Sequence, residues 1–211
     1  MPTRSKLALA ALAAATLLGL ALSSASAGNL SVSNRQFRAI WSPFRMFGEG
    51  GIEAEVRCPV TIEGSFHSST THKVLAALVG YVSRAISGAG SACAGGSATM
   101  LSETLPWHVT YQGFSGTLPR ITRIRLFVRR VAFIVEPGLS IRCLYRENGT
   151  AQAASEAIVE ASGGIPGLEA DEAIRLPLFS GGGFCPSEVG GAGTASVTVL
   201  GATTHITVRL I

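Results

Sequence analysis

Hydrophobic and polar residues alternate without interruption from Ile52 to His67. A period of two places successive side chains on opposite faces of a β-strand, whereas a helical period would scatter them around the axis. The stretch therefore predicts a strand with one buried and one solvated face, and Cys58 lies on the buried side. The buried positions are Ile52, Ala54, Val56, Cys58, Val60, Ile62, Gly64 and Phe66.

Similar alternation between segments rich in Gly and Pro predicts further strands. We expect a first strand within 29–41, a loop over 42–51, and strands at 104–112, 124–135, 139–145, 174–178, 197–199 and 206–210. The apolar phase flips after Arg129-Arg130, which indicates a β-bulge in an unbroken strand. The Gly-rich segments 88–97 and 181–191 are expected to be loops.

Two segments are ambiguous. Residues 73–87 could form a helix with Val74, Leu78 and Val82 on one face, but the surrounding pattern favours a strand. Residues 151–161 have the composition of a short helix. The pattern as a whole predicts an all-β fold, an antiparallel β-sandwich or partly closed barrel of about eight to nine strands.

Residues 1–27 have the features of a secretory signal peptide. Arg4 and Lys6 precede an apolar run, and Ala25-Ser26-Ala27 fits the rule for signal cleavage. The run is shorter than the roughly 20 residues that a membrane-spanning helix needs. We therefore expect cleavage after Ala27, secretion, no transmembrane span in the mature protein, and a single β-sandwich domain over residues 28–211.

The four cysteines are spread widely along the exported part of the chain. Cys58, Cys93, Cys143 and Cys185 show no CxxC spacing, which disfavours a zinc ribbon or a redox motif. An even number in an exported chain predicts two disulfides with three alternative connectivities. The pairing Cys58–Cys93 with Cys143–Cys185 closes the shorter loops and is favoured.

Positive charge is concentrated in one predicted strand, whereas the chain as a whole has a low net charge. The net charge of +4 falls to +2 without Arg4 and Lys6, so the overall charge indicates no nucleic-acid partner. Five arginines fall within eleven residues: Arg120, Arg123, Arg125, Arg129 and Arg130. They could contact an anionic cell-envelope polymer, or they could form a soluble face that is paired with Glu53, Glu55 and Glu63 on a neighbouring strand.

Catalytic and cofactor motifs are poorly represented. The chain has one aspartate, Asp171, and residues 28–211 contain no GxSxG or SxxK motif. Glu53, Glu55 and Glu63 share one strand face, where a solvated surface is a simpler explanation than a glycosidase pair. The four histidines are expected at the surface, and we expect no metal or cofactor. Trp41, Trp107, Tyr111 and Phe114 could stack on a sugar, but the alternation of Trp107 and Tyr111 with Leu105 and Val109 favours a place in the core.

Several short motifs accompany the cysteines: Cys93-Ala94-Gly95-Gly96, Leu105-Pro106-Trp107 and Cys143-Leu144-Tyr145, with Cys58 on an early strand and Cys185 late in the chain. In this spacing the chain resembles a group of exported actinobacterial β-rich proteins that has no assigned activity. The resemblance implies an exported β-rich fold, and it implies no site residues.

These observations predict a secreted or envelope-associated domain that binds or supports another molecule and is not an enzyme. The expected partner is an anionic envelope polymer or another surface protein, bound through the arginine strand. Two alternatives stay open. One is an extracellular glycan hydrolase that uses glutamates, and the other is a carrier that holds a small apolar ligand in an interior cavity.

Overall fold

The structure, a computed structural model, describes residues 29–49, 55–88, 92–138, 141–149 and 153–211. The expected signal peptide lies outside the described residues. Within the described part, no helix is long and apolar enough to cross a membrane. The same part contains fifteen strands: β1 (Asn29–Val32), β2 (Gln36–Glu49), β3 (Glu55–Phe66), β4 (Thr70–His72), β5 (Leu78–Ser87), β6 (Ser97–Met100), β7 (Trp107–Thr117), β8 (Arg120–Arg129), β9 (Ala132–Glu136), β10 (Cys143–Arg146), β11 (Ala153–Ile158), β12 (Gly164–Ile165), β13 (Gly167–Ser180), β14 (Glu188–Val199) and β15 (Ile206–Leu210).

Eight of these strands form a closed antiparallel ring. Hydrogen-bonded neighbours run in the order β11, β8, β7, β5, β3, β2, β14 and β13, and β13 pairs again with β11. A closed ring leaves no unpaired strand edge. The prediction of an all-β antiparallel fold, either a sandwich or a partly closed barrel, is confirmed, although the strands are more numerous than expected.

The alternating stretch forms β3 and lies within this barrel. Val56, Cys58, Val60 and Ile62 are buried, and the residues between them are exposed or half-buried. Burying the apolar face of each strand against the barrel interior gives about 25 cal/mol per Å² of apolar surface removed from water. The period of two therefore identified both the strand and its inner face, within the described residues 55–66.

A four-stranded sheet, here called the cap, covers one end of the barrel. Its strand order is β12, β15, β1 and β4. β1 precedes β2, β4 connects β3 to β5, β12 precedes β13, and β15 follows β14, so all four lie at the same barrel end. The cap buries apolar side chains of its own, including Leu30, Val32, Ile165, Ile206 and Val208.

At the other end of the barrel, four long strands continue into a second lobe. β2, β3, β13 and β14 are joined there by β10, β9 and β6. Three adjacent strands shift register at the same level, in β2 after Trp41, in β13 after Ala170 and in β14 after Ala192. Such irregularities bend and twist strands. Large side chains such as Tyr145 and Leu176 fill this lobe.

Both disulfides have the favoured connectivity. Cys58–Cys93 joins β3 to the segment before β6, and Cys143–Cys185 joins β10 to the loop between β13 and β14. Beside the first bridge, Arg57 and Ala94 exchange two backbone hydrogen bonds of 2.9 and 2.8 Å. The bridge and this short pairing hold β6 close to β3 and tie the second lobe together.

Three expected elements were wrong. The described part of the expected loop 42–51 belongs to β2, which continues to Glu49 because the register shift after Trp41 absorbs its irregular residues. Within the segment considered for a short helix, Ala153–Ile158 form strand β11, since they pair on both sides with β8 and β13. Gly190 and Gly191, expected in a loop, lie inside β14.

The apolar phase flip after Arg129-Arg130 was expected to be a β-bulge in one continuous strand. This expectation was wrong, because the described chain breaks there into two separate strands, β8 and β9. Arg130 has a positive φ of 69°, and the chain then leaves the barrel. β8 pairs with β7 and β11, whereas β9 pairs with β10 and β6. The expected first strand likewise divides into β1 in the cap and β2 in the barrel, and the strand in 73–87 begins only at Leu78.

Candidate functional site: an apolar barrel interior

The barrel encloses a cavity of about 80 Å³ beneath the cap. Among the described residues that line it, no side chain is charged, and nearly all are aliphatic or aromatic. Barrel and cap contribute together: Leu30, Val32, Phe37, Ala39, Ile62, Phe66, Thr71, Val79, Gly80, Val82, Val109, Tyr111, Ile124, Leu126, Val128, Ser155, Ala157, Ile165, Leu168, Val197, Ile206 and Val208. An apolar space of this kind binds apolar molecules more readily than water, because water needs two or more polar partners.

A second cavity, also of about 80 Å³, lies next to the first. The two share Ile62, Val128, Ser155 and Leu168 in their walls. The second cavity reaches toward the bend, where Trp41 and Trp107 contribute to its lining. The barrel interior therefore contains two adjoining apolar spaces with a common wall.

Small side chains on β11 explain part of this unfilled space. The inward positions of β11 are Ala153, Ser155 and Ala157, and all three are buried. The interior of an eight-stranded barrel is just wide enough to be filled by side chains or to hold one small ligand. Three small residues in a row on one wall leave space that larger side chains would occupy.

The five arginines of the proposed contact surface lie on or beside β8, and acidic partners flank three of them. The Arg123 guanidinium lies 3.1 Å from Glu156 and also bonds Glu169. Hydrogen bonds to Glu169 and Glu156 raise the pKa of Arg123 above its ordinary value. Arg125 pairs with Glu156 at 3.1 Å, and Arg129 pairs with Glu147 at 3.4 Å. Glu156 comes from β11 and Glu169 from β13, the next two strands of the ring.

The two remaining arginines lie at the ends of β8. Arg120 and Arg130 are exposed, and within the described residues no ion pair of their side chains is present. With three glutamates beside five arginines, the surface has a formal charge of +2. Contact with an anionic polymer stays a prediction. The alternative in which Glu55 and Glu63 of β3 pair with these arginines was wrong, because the partners come from β11, β13 and residue 147.

The glutamates of β3 pair with other arginines. Glu55 accepts hydrogen bonds from Arg45, at 2.9 Å, and from Arg57, and these lower its pKa to about 2. For Glu63, burial acts to raise the pKa, but hydrogen bonds from Arg84 and Arg38 outweigh it, and the pKa is lowered. A glycosidase acid needs a raised pKa. Glu53 lies outside the described residues, and the geometry of Glu55 and Glu63 gives the hydrolase alternative no support.

The Glu55 ion pairs predict a specific pH dependence of stability. Its pKa is lower in the folded protein than the ordinary 4.5, so the pairing stabilises the fold above pH 4.5 and is lost between pH 4.5 and about 2. We expect Glu55→Gln to reduce the fall in Tm over this range, as measured by circular dichroism. Glu103→Gln is the control, since Glu103 forms no ion pair with the described residues. An equal slope in wild type and Glu55→Gln would contradict the prediction.

Three of the four aromatic residues considered for sugar stacking lie in the core, as expected. Trp41, Trp107 and Tyr111 are buried. The Trp41 indole donates to the Gly193 carbonyl at 3.2 Å, and the Trp107 indole donates to the Thr104 hydroxyl at 2.8 Å. A sugar platform needs exposed rings, so these residues do not provide one.

The cavity-lining residues were not identified as a site from the sequence. Their apolar alternation predicted a core, and a partly empty core has the same pattern as a filled one. The available signal was the small residues at alternate positions of 153–157, a segment whose composition also allowed a short helix. Comparison of the chain with protein-family models, curated proteins and solved structures finds no match in any of the three.

Proposed function

We propose that this chain is a non-catalytic, secreted binding domain that holds a small apolar molecule inside its barrel. The observation that carries the proposal is the first cavity, which lies between the cap and the barrel and whose described lining residues are mostly apolar and include no charged side chain. The signal-like segment 1–27 and the two disulfides support an oxidising compartment outside the cytoplasm.

The cavity size limits the ligand to a small molecule. Burying a methylene group contributes about 0.8 kcal/mol, so a ligand with about seven carbon atoms gains about 5 kcal/mol. This corresponds to a Kd between about 0.1 and 1 mM before the cost of ordering the ligand. A longer ligand would have to extend into the second cavity, past the shared wall at Ile62 and Leu168.

The envelope-polymer hypothesis receives less support from the geometry. Three of the five arginines already have carboxylate partners, and an anionic ligand would have to compete with them. Exposed ion pairs contribute little stability, about 0 to 1 kcal/mol each. Their arrangement along β8, β11 and β13 is consistent with a solvated outer wall of the barrel. The interior cavity, by contrast, is not filled by any described side chain.

Toluene is a suitable probe because it is small, rigid and uncharged. We expect toluene to shift the methyl NMR signals of cavity residues such as Val82 and Ile124 in the wild-type protein. Ala157→Leu adds three carbon atoms to the first cavity and should weaken toluene binding at least tenfold. Ala153→Leu makes the same change on the same strand, but Ala153 lines only the second cavity.

The control separates cavity binding from general effects on the fold. Ala153→Leu should keep the toluene affinity within about threefold of wild type, and both variants should be checked for folding by circular dichroism. No methyl shifts with wild type, or equal weakening in both folded variants, would rule out ligand binding in the first cavity. An N-terminus at Gly28 in protein recovered from culture medium would test the secretion part of the proposal.

A further inference from the structure

Buried hydroxyl groups in this protein fall into two pairs. Four hydroxyl-bearing residues are buried within the described part of the chain: Thr104, Tyr111, Tyr145 and Ser155. Thr104 donates to the Leu101 carbonyl at 2.8 Å and accepts from Trp107, and Tyr145 donates to the Pro186 carbonyl at 3.1 Å. Neither of these two residues lines a cavity.

The other two hydroxyl-bearing residues line the first cavity, and neither side-chain hydroxyl has a hydrogen-bond partner in the described part of the chain. Tyr111 is 4% exposed and Ser155 is 6% exposed. Within the described residues, no hydrogen bond from either hydroxyl is present. An unsatisfied buried hydroxyl is unfavourable, and native proteins usually satisfy such groups with protein, water or a ligand. Burial raises the pKa of Tyr111, which keeps its hydroxyl protonated and able to donate.

The barrel register places these two residues in one row. Tyr111 on β7 and Ser155 on β11 are both paired with Leu126 on β8. Residues in register on neighbouring strands point to the same face, and the strands are about 5 Å apart. The two Cα atoms are thus separated by roughly 10 Å across Leu126, and both side chains contribute to the same wall.

We propose that Ser155 and Tyr111 recognise a single uncharged polar group, a hydroxyl or carbonyl, on an otherwise apolar ligand. This inference rests on the proposed function and narrows its ligand class. A carboxylate or an ammonium group is disfavoured because none of the described residues that line either cavity is charged. Ser155 lines both cavities, so a polar group bound there leaves room for apolar parts on either side.

Phenol and toluene test this proposal because they are similar in size and phenol has a hydroxyl group where toluene has a methyl group. We expect Ser155→Ala and Tyr111→Phe each to weaken phenol binding about tenfold, the value of one hydrogen bond. Toluene cannot hydrogen-bond to either hydroxyl, so its affinity should fall by less than that of phenol in both variants. Affinities are measured by NMR titration of the cavity methyl groups.

The outcomes distinguish this proposal from the proposed function. If toluene binds and the two variants leave phenol affinity unchanged, the polar recognition is wrong and apolar binding stands. If neither probe binds the wild-type protein, both proposals fail. If the variants weaken phenol binding clearly more than toluene binding, both proposals are supported.

Thermal unfolding without ligand provides a second, independent readout. Ser155→Ala and Tyr111→Phe remove hydroxyls that have no hydrogen-bond partner among the described residues, so Tm should stay the same or rise. Tyr145→Phe removes a satisfied hydroxyl and should lower Tm by about 3 °C. A comparable loss of Tm in Ser155→Ala or Tyr111→Phe would show that the protein itself satisfies these hydroxyls, and would overturn the proposal.

Discussion

Replacing Cys58 and Cys93 together by alanine should lower the free energy of unfolding by about 4 kcal/mol. The bridge closes a sequence separation of 35 residues. In the chain-entropy account, a loop of this size gives a stabilisation between the values for 15 and 100 residues, about 3 and 4.7 kcal/mol. Cys58 is fully buried in β3, so the variant also loses packing between β3 and the segment before β6.

Urea denaturation followed by tryptophan fluorescence measures this effect, because Trp41 and Trp107 are both buried. Replacing Cys143 and Cys185 provides the comparison, since that bridge closes a similar separation of 42 residues. Both variants should lose a similar amount of stability. A change below about 1 kcal/mol for Cys58 and Cys93 would contradict the role assigned to the bridge in the second lobe.

Gly64→Ala should cost about 3 kcal/mol or more, because no space exists for a methyl group. A Cβ at Gly64 would lie 2.2 Å from the Tyr81 carbonyl oxygen and 2.6 Å from the Phe37 ring. Gly64 is paired with Phe37 on β2 and with Val82 on β5, and the β3–β5 register shifts beside it. The added methyl would push apart two strand pairs of the ring.

Gly138→Ala is the matched control for this substitution. A Cβ at Gly138 meets nothing within 4 Å, so the variant should be neutral or slightly more stable. Both free energies of unfolding are measured in urea under the same conditions. Because the Phe37 ring lines the first cavity, Gly64→Ala should also weaken toluene binding in the fraction that folds. Equal stability of the two variants would contradict the close packing at Gly64.

Local features of the chain were sufficient to predict several of the strands and their buried faces. The period-two pattern of 52–67 identified β3 and the burial of Val56, Cys58, Val60 and Ile62, and the core position of Trp41, Trp107 and Tyr111 is confirmed. The even cysteine count and the loop lengths also predicted both bridges. Each of these inferences depends on residues close together in sequence, or on a small number of alternatives.

Ring closure and the cavity depend on pairing that no local pattern specifies. β11 closes the barrel by pairing with β13, yet its residues Ala153, Ser155 and Ala157 gave no strong strand signal. Glu156 and Glu169, the two partners of Arg123, lie 33 and 46 residues away from it in the sequence. The alternation of apolar and polar residues indicates which face of a strand is buried. The identity of the neighbouring strands, the closure of the ring and the unfilled volume depend on how all the strands pack together.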